Sequence, residues 1–164
     1  MDYYNEIKEE LIYNEVNRRV KNYSINKGDL DTYYKVGRML SEAGKHYGEG
    51  IIKEYSKRLT SEVDKKYNQT NLKRMRQFYF MIEKGATVWH QLSWSHYKIL
   101  IPLRIIDKIN YYGKIAFENM YSVRQLRERI KSNEYERLPN ITKNKLIKRE
   151  KSNIIDFVKN VKLI

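Results

Sequence analysis

Apolar residues recur every three or four positions along most of this chain, and charged residues fill the positions between them. This spacing places the apolar side chains on one face of an α-helix, and no segment alternates in the way that a half-buried strand requires. Gly and Pro interrupt the pattern rarely, at 7 and 2 of 164 residues. The sequence therefore predicts an all-α, multi-helix bundle.

Seven helices are predicted, with boundaries set by capping residues, glycines and prolines. They are expected at about 4–23, 30–44, 51–63, 71–84, 95–103, 105–119 and 122–130. Asp29 and Thr70 are the predicted N-caps of the second and fourth helices, and Gly44 is the predicted C-terminal stop of the second. The first helix is expected to bury Ile7, Leu11, Ile12, Val16 and Val20.

Pro139 marks the predicted boundary between two parts of the chain. Residues 1–138 form the helical domain, and residues 139–164 form a basic tail. Apolar residues at helical spacing indicate an amphipathic element in the tail; they are Ile154, Ile155, Phe157, Val158 and Val161. Such an element packs on its own domain, on a partner or on a second copy, so a homodimer is one interpretation of the tail.

The chain carries 33 Lys and Arg residues against 20 Asp and Glu, a net charge of +13. At 41% hydrophobic residues it is too apolar for a disordered polybasic chain. A positive surface favours a polyanionic partner. No apolar run reaches the roughly 18 residues that a membrane span needs, and the N-terminus lacks the features of a signal peptide. We therefore expect a cytoplasmic protein that makes no membrane contact.

The residue types of catalytic and metal sites are sparse. Cys is absent, which excludes disulfides, thiolate metal sites and a thiol nucleophile. His90 and His96, the nearest pair of histidines, are six positions apart and not four, as two ligands on one helix face are. Gly44, Gly48 and Gly50 precede a helix but lack the Gly-Lys-Ser/Thr ending of a phosphate loop. We expect no enzymatic activity, no metal ion and no cofactor.

The segment 51–84 is the most informative part of the sequence. Two helices joined by a short polar turn have the layout of a helix-turn-helix, whose second helix enters the major groove. Between residues 53 and 84, nine basic residues oppose four acidic ones, a local net charge of +5. The fourth helix has an apolar inner face, at Leu72, Met75, Phe78, Tyr79 and Ile82. The bundle is therefore expected to have a helix-turn-helix-like core.

Three clusters are predicted to contact nucleic acid, with DNA favoured over RNA. The outer face of the fourth helix is predicted to read base edges, through Asn71, Lys73, Arg74, Arg76 and Gln77. Basic residues before and within the turn are predicted to lie against phosphates; they are Lys57, Arg58, Lys65 and Lys66. The last helix and the tail, where residues 140–164 also have a net charge of +5, add Arg124, Arg127, Lys145, Lys148 and Arg149.

Three runs of the sequence resemble one known family. Residues 33–38 (YYKVGR) resemble a YW-x-I-G-R run, residues 71–79 (NLKRMRQFY) resemble NL-x-x-MR-x-FY, and residues 91–96 (QLSWSH) match Q-L-S-W-S-H. In this order, over about residues 10–138, they resemble the N-terminal domain of the YhcG family, which precedes a PD-(D/E)xK nuclease domain. The resemblance implies an all-helical, DNA-binding-like module found beside nucleases and in mobile elements, with His96 structural. It does not imply nuclease activity, because residue 164 falls where the nuclease domain would begin.

Two functions from different classes fit these observations. The first is a non-enzymatic, DNA-binding module of helix-turn-helix type. The alternative is a phage- or plasmid-type interaction protein that binds and inhibits a host nuclease or ribonucleoprotein complex. A positive surface suits both functions, so retention of a protein partner after nuclease treatment would favour the second.

Overall fold

The computed structural model describes residues 2–19, 25–140 and 142–143. Within these residues the fold is all-α, as predicted, and contains no strand. Seven α-helices are present there: α1 (Tyr3–Arg18), α2 (Ile25–Tyr47), α3 (Ile51–Glu62), α4 (Gln69–Glu83), α5 (Trp94–Leu100), α6 (Ile106–Glu118) and α7 (Val123–Lys131). A 3₁₀ turn, Ile101–Leu103, follows α5. None of the described helices is long and apolar enough to cross a membrane.

The chain divides into two compact units, residues 1–80 and residues 81–164, and α4 continues across the boundary. Unit 1 begins with an antiparallel pair of helices. The Tyr3 ring, at the start of α1, stacks on His46 near the end of α2, with 5.8 Å between the ring centroids. Arg18, at the end of α1, pairs with Asp29 near the start of α2.

The buried face of α1 differs from the one that its apolar residues predict. Leu11 is fully buried, but Ile12 and Val16 are 40% and 54% exposed. The buried stripe continues instead through Asn14, which has no exposed surface. The prediction for Ile12 and Val16 is wrong because each is two residues from Asn14, which at about 3.6 residues per turn places it on nearly the opposite side of α1 from the buried stripe. Val20 lies outside the described residues.

Asp29 does not cap α2, because that helix begins four residues earlier, at Ile25. The Asp29 carboxylate is instead buried, where Oδ1 accepts a hydrogen bond from Asn14 Nδ2 at 2.8 Å and Oδ2 accepts one from Arg18. A carboxylate removed from water needs partners of this kind. The contact joins α1 to α2 through buried polar groups.

Gly44 lies inside α2 and does not stop it. The helix continues to Tyr47 and ends at Gly48, whose φ of +86° lies in the left-handed region. Glycine adopts this region without the steric cost that a Cβ atom brings. The stop residue is therefore the second glycine of the run and not the first.

The N-cap of α4 is also shifted from the prediction. α4 begins at Gln69, so Thr70 is inside the helix. Asn68 takes the capping role, because its Oδ1 accepts a hydrogen bond from the backbone N–H of Asn71 at 2.9 Å. The prediction of Thr70 is therefore wrong by two residues, and asparagine serves as an N-cap at least as well as threonine.

α4 passes very close to α2 at Gly37. A Cβ atom added to Gly37 would lie 2.2 Å from the carbonyl oxygen of Met75, so glycine is needed for the two helices to approach this closely. Leu72, Met75 and Phe78 are fully buried, which confirms the main positions of the predicted inner face of α4. The opposite side of α4 consequently faces outward from unit 1.

In unit 2, His96 links the start of α5 to a distant carbonyl. Ser93 is the N-cap of α5, and His96 Nδ1 accepts a hydrogen bond from the Ser93 N–H at 3.1 Å. His96 Nε2 lies 2.8 Å from the carbonyl oxygen of Tyr121. Since a carbonyl can only accept, Nε2 carries the proton and Nδ1 is the acceptor. These contacts give His96 the structural role expected of it.

Candidate nucleic-acid interface

The outward side of α3 carries two exposed lysines. Lys53 and Lys57 lie four residues apart, on one face of the helix, and both are exposed. In the part of the chain that the structure describes, neither ammonium group takes part in an ion pair. Ile52 and Leu59 are fully buried on the other side of α3, which fixes the direction in which the lysines point.

Arg58 has a different environment from its neighbour Lys57. Its guanidinium lies over the Tyr4 ring of α1, 3.5 Å from the ring centroid. The Tyr4 hydroxyl donates to Glu62, which also pairs with Lys8 at 3.0 Å. These two contacts lower the pKa of Glu62, whereas burial and the bond to Glu62 raise the pKa of Tyr4 to about 12. Arg58 therefore packs α3 against α1. This packing role is not part of the sequence prediction, which gives Arg58 only a phosphate contact.

Residues 63–68 connect α3 to α4. This connection is longer than the three or four residues that are usual in a helix-turn-helix. Lys65 is exposed within it and belongs to no ion pair among the described residues. The two helices and the polar connection of the predicted motif are therefore present, but the connection contains more residues than a helix-turn-helix usually has.

Glu15 of α1 holds the connection in place. The Tyr67 hydroxyl donates to Glu15 Oε1 at 2.6 Å, and the Lys66 ammonium pairs with the same carboxylate. Burial opposes the ionisation of Glu15, but the hydrogen bonds from Lys66 and Tyr67 outweigh it, and the pKa of Glu15 is lowered. Burial and the bond to Glu15 also raise the pKa of Tyr67, whose side chain is fully buried. Lys66 is thus committed to a contact within unit 1.

An outward row on α4 combines three of the predicted base-reading residues. Lys73 and Gln77 are exposed and lie four residues apart, on one face of the helix. Arg74 is half-buried between them, and its Nη1 donates to Gln77 Oε1 at 3.0 Å. Arg and Gln side chains are the usual bidentate partners of guanine and adenine, and a pair that holds one another loses less freedom on binding. We call Lys73, Arg74 and Gln77 the α4 row.

Asn71 and Arg76 are not part of the α4 row. Asn71 Nδ2 donates to the carbonyl oxygen of Lys66 at 2.9 Å, which ties the side chain to the connection before α4. The Arg76 side chain is only 18% exposed, and its Nη1 lies 2.5 Å from Glu49 Oε2. The structure therefore places two of the five predicted base-reading side chains in contacts within unit 1.

The remaining predicted contacts lie in unit 2 or beyond the described residues. Arg124 and Arg127 are both exposed on α7, which is anchored by the fully buried Leu126. Lys145, Lys148 and Arg149 lie outside the described residues.

Histidines and carboxylates do not converge on a metal site in the described part of the chain, where no group of three or more such residues is suitably placed. His46 packs against Tyr3 at the end of α2. Both ring nitrogens of His96 are engaged by Ser93 and Tyr121.

Comparison with known protein families identifies the family of this chain. The sequence model of the DUF1016 N-terminal domain matches residues 7–137. The chain belongs to this family. The DUF1016 N-terminal domain is the N-terminal domain of the YhcG-like proteins, which the three sequence runs resemble, and no nuclease domain is detected in the chain. No curated protein and no solved structure is significantly similar to it.

The three sequence runs by which this DUF1016 N-terminal domain resembles its family contain residues that pack the fold together. The first run supplies Gly37 and the second supplies Met75, and these two residues meet where α2 and α4 approach most closely. The third run supplies Ser93 and His96, which form a capping box at the start of α5. The runs that carry the family resemblance therefore build the scaffold, and the α4 row lies on the outward side of one of them.

Sequence reasoning missed the buried polar residues of unit 1, above all Asn14 and Tyr67. Asn14 follows Leu11 by three positions, so it continues the buried stripe of α1, and this spacing was the available signal. Tyr67 lies in a run of polar residues, and no local signal distinguishes it from an exposed tyrosine.

Proposed function

We propose that this DUF1016 N-terminal domain is a non-enzymatic, DNA-binding module. In this proposal the α4 row reads base edges in the major groove, and the lysines of α3 and of the connection contact phosphates. The observation that carries it is the placement of Lys53, Lys57, Lys65 and Lys73, four exposed ammonium groups without an ion pair among the described residues, on the segment that also presents Arg74 and Gln77.

The unpaired state of the lysines supports binding because an ion pair within the protein competes with a phosphate. Lys66 and Arg76 already have carboxylate partners, whereas the four exposed lysines form no ion pair with another of the described residues. Each phosphate that such a lysine neutralises releases condensed counterions, which is the main source of affinity in non-specific DNA binding. The charge concentration in this segment therefore favours a nucleic-acid partner over an uncharged one.

DNA is favoured over RNA by the shape of the α4 row. Three side chains on one exposed helix face can reach base edges in the major groove of B-form DNA, which is wide enough to admit a helix. The major groove of an A-form RNA duplex is deep and narrow, and side chains cannot read it in this way. An association with nucleases, phages or mobile elements remains a prediction from the family resemblance.

Fluorescence anisotropy with labelled duplexes tests the proposal. Arg74→Ala is expected to weaken binding to a selected sequence by about 1–3 kcal/mol and to relax specificity at one base position. Lys57→Ala is expected to weaken binding to all sequences alike. Lys27→Ala is the matched control, because Lys27 is also an exposed lysine but lies on α2, outside the α3–α4 segment.

Two outcomes would reject the proposal. One is a wild-type affinity weaker than about 10⁻⁴ M at low salt for every duplex tested, which is below ordinary non-specific binding. The other is an equal effect of the Lys57, Arg74 and Lys27 substitutions. A protein partner retained after nuclease treatment, together with the first outcome, would favour the interaction-protein function instead.

A further inference from the structure

A groove in unit 1 contains the half-buried Arg76, which is not part of the α4 row. Its volume is about 480 Å³, within the range of small-molecule sites. The lining side chains come from α2, from the link between α2 and α3, and from α4; they are Ser41, Gly44, Lys45, Glu49, Arg76 and Phe80. The groove thus combines two cations, one carboxylate and one aromatic ring.

Arg76 and Glu49 form an unequal pair at this groove. The guanidinium lies 2.5 Å from Glu49 Oε2, and the Arg76 side chain is 18% exposed while that of Glu49 is 76% exposed. Arg76 is fixed on a packed helix, whereas Glu49 lies between helices, directly after the left-handed Gly48. The arginine is therefore the permanent part of the pair, and the carboxylate is the part that a competing anion can replace.

A phosphate group has the chemistry to replace the Glu49 carboxylate. The planar guanidinium fork binds carboxylates and phosphates in the same bidentate manner. An ion pair whose carboxylate is this exposed adds little to stability, so its loss costs the protein little. Lys45 lines the same groove with its side chain 71% exposed, and its ion pair with Glu42 spans 3.9 Å. A second cation is thus available to the incoming anion.

Phe80 supplies a surface for the part of a ligand that is not charged. Phe80 is 40% exposed and lines the same groove as Arg76. Nucleobases stack on exposed aromatic rings irrespective of sequence. Gly44 adds no side chain to the groove wall, where a Cβ atom would approach Glu49 Oε1 to 3.6 Å and Arg76 Nη1 to 3.8 Å.

We propose that this groove binds a single nucleotide. The phosphate of the nucleotide displaces Glu49 from Arg76, and the attached base packs on Phe80. Glu49 then acts as an internal substitute for the phosphate in the empty protein. The bound nucleotide is either a free mononucleotide or one nucleotide of a nucleic-acid strand. In the second case the site rests on the proposed DNA-binding function and adds one strand contact to it.

Isothermal titration with adenosine 5′-monophosphate and with adenosine tests the site. We expect the monophosphate to bind and adenosine to bind far more weakly, because the phosphate supplies the contact with Arg76. Glu49→Gln is expected to tighten monophosphate binding about two- to fivefold, since it removes the competing carboxylate. Glu54→Gln is the matched control, because it removes the same charge from an exposed position five residues away and outside the groove.

The sign of the Glu49→Gln effect makes the test robust, since a variant that fails to fold cannot bind more tightly. Arg76→Gln is expected to abolish the monophosphate binding and to cancel the gain from Glu49→Gln in the double variant. The proposal would be overturned if, for the monophosphate and for oligonucleotides alike, Glu49→Gln and Glu54→Gln had equal effects or Arg76→Gln left binding unchanged. Equal binding of adenosine and the monophosphate would overturn it too, provided that oligonucleotide binding does not respond to the Glu49 and Arg76 substitutions.

Repeating the series with a single-stranded and a duplex oligonucleotide identifies the source of the phosphate. If the strand, and not the free monophosphate, shows the Glu49 and Arg76 effects, the site is a strand contact. A different result separates the two proposals. If the Lys57 and Arg74 substitutions weaken oligonucleotide binding, but the Glu49 and Arg76 substitutions change the binding of neither the monophosphate nor the oligonucleotides, the groove proposal fails and the DNA-binding function stands. Monophosphate binding with the expected effects, without any oligonucleotide binding, supports the groove and rejects the DNA-binding function.

Discussion

The Tyr67 hydroxyl donates a hydrogen bond to Glu15 Oε1 at 2.6 Å, which ties the α3–α4 connection to α1. Tyr67→Phe removes this hydroxyl and leaves the ring in place. A hydrogen bond to a charged, partly buried acceptor contributes about 1–2 kcal/mol, so the free energy of unfolding should fall by that amount. Urea denaturation measures it. Tyr13→Phe is the control, because Tyr13 is 66% exposed. It should change the free energy of unfolding by no more than about 0.5 kcal/mol.

The same carboxylate predicts how stability depends on acid pH. The pKa of Glu15 is lowered in the folded protein from its ordinary value of 4.5, so its contribution is present above pH 4.5 and is lost as the pH falls through the folded value. Glu15→Gln should therefore lower stability at pH 7 and flatten the loss of stability in acid. Thermal melts between pH 7 and pH 3 measure this. An acid slope unchanged from wild type, or one flattened equally by Glu9→Gln at an exposed position of α1, would contradict the assignment.

Gly37 tests the close approach of α2 and α4. In Gly37→Ala the new Cβ atom would meet the Met75 carbonyl oxygen at 2.2 Å, and backbone on both sides cannot move away cheaply. A loss of about 3 kcal/mol is expected from overpacking. Gly50→Ala is the control, because nothing lies within 4 Å of its added Cβ and its backbone is right-handed helical. That variant should be as stable as wild type or slightly more stable.

His96 provides a prediction for unit 2. His96→Ala removes the acceptor of the Ser93 N–H and the donor to the Tyr121 carbonyl, so it should cost about 1–2 kcal/mol. Ser95→Ala, at the exposed neighbouring position, should be close to neutral. Equal stability of the two variants would show that the capping contacts of His96 contribute nothing measurable.

The sequence predicts the helices well because their signals are local. The buried face of α4 follows from apolar spacing alone, and α7 begins next to Ser122, its N-cap, where the seventh helix is predicted to begin. Boundaries near glycine and acidic residues are less well predicted. Asp29 has the side chain of an N-cap, but its partners come from α1, and a contact between distant residues leaves no mark on the local pattern.

The candidate site divides in the same way. Exposure of Lys57, Lys73 and Gln77 follows from the helix period, and the structure agrees with it. The environment of Arg76 does not follow, because position 76 lies beside the exposed face but its charge is taken up by Glu49, 27 residues earlier. Helical periodicity predicts the direction in which a side chain points. It does not predict whether the side chain is already paired within the protein, because the partner can be distant in the sequence.

The salt dependence of DNA binding tests the central claim most directly. Kd is measured by anisotropy for wild type, for a variant with Lys53, Lys57 and Lys73 changed to Ala, and for Lys27→Ala, between about 50 and 200 mM salt. We predict that the triple variant binds more weakly at every salt concentration and that its log–log slope is shallower by about 2.7, or about 0.9 for each phosphate that is no longer neutralised. Lys27→Ala should retain the wild-type slope. A triple variant with the slope and affinity of wild type would contradict the assignment of this surface to DNA.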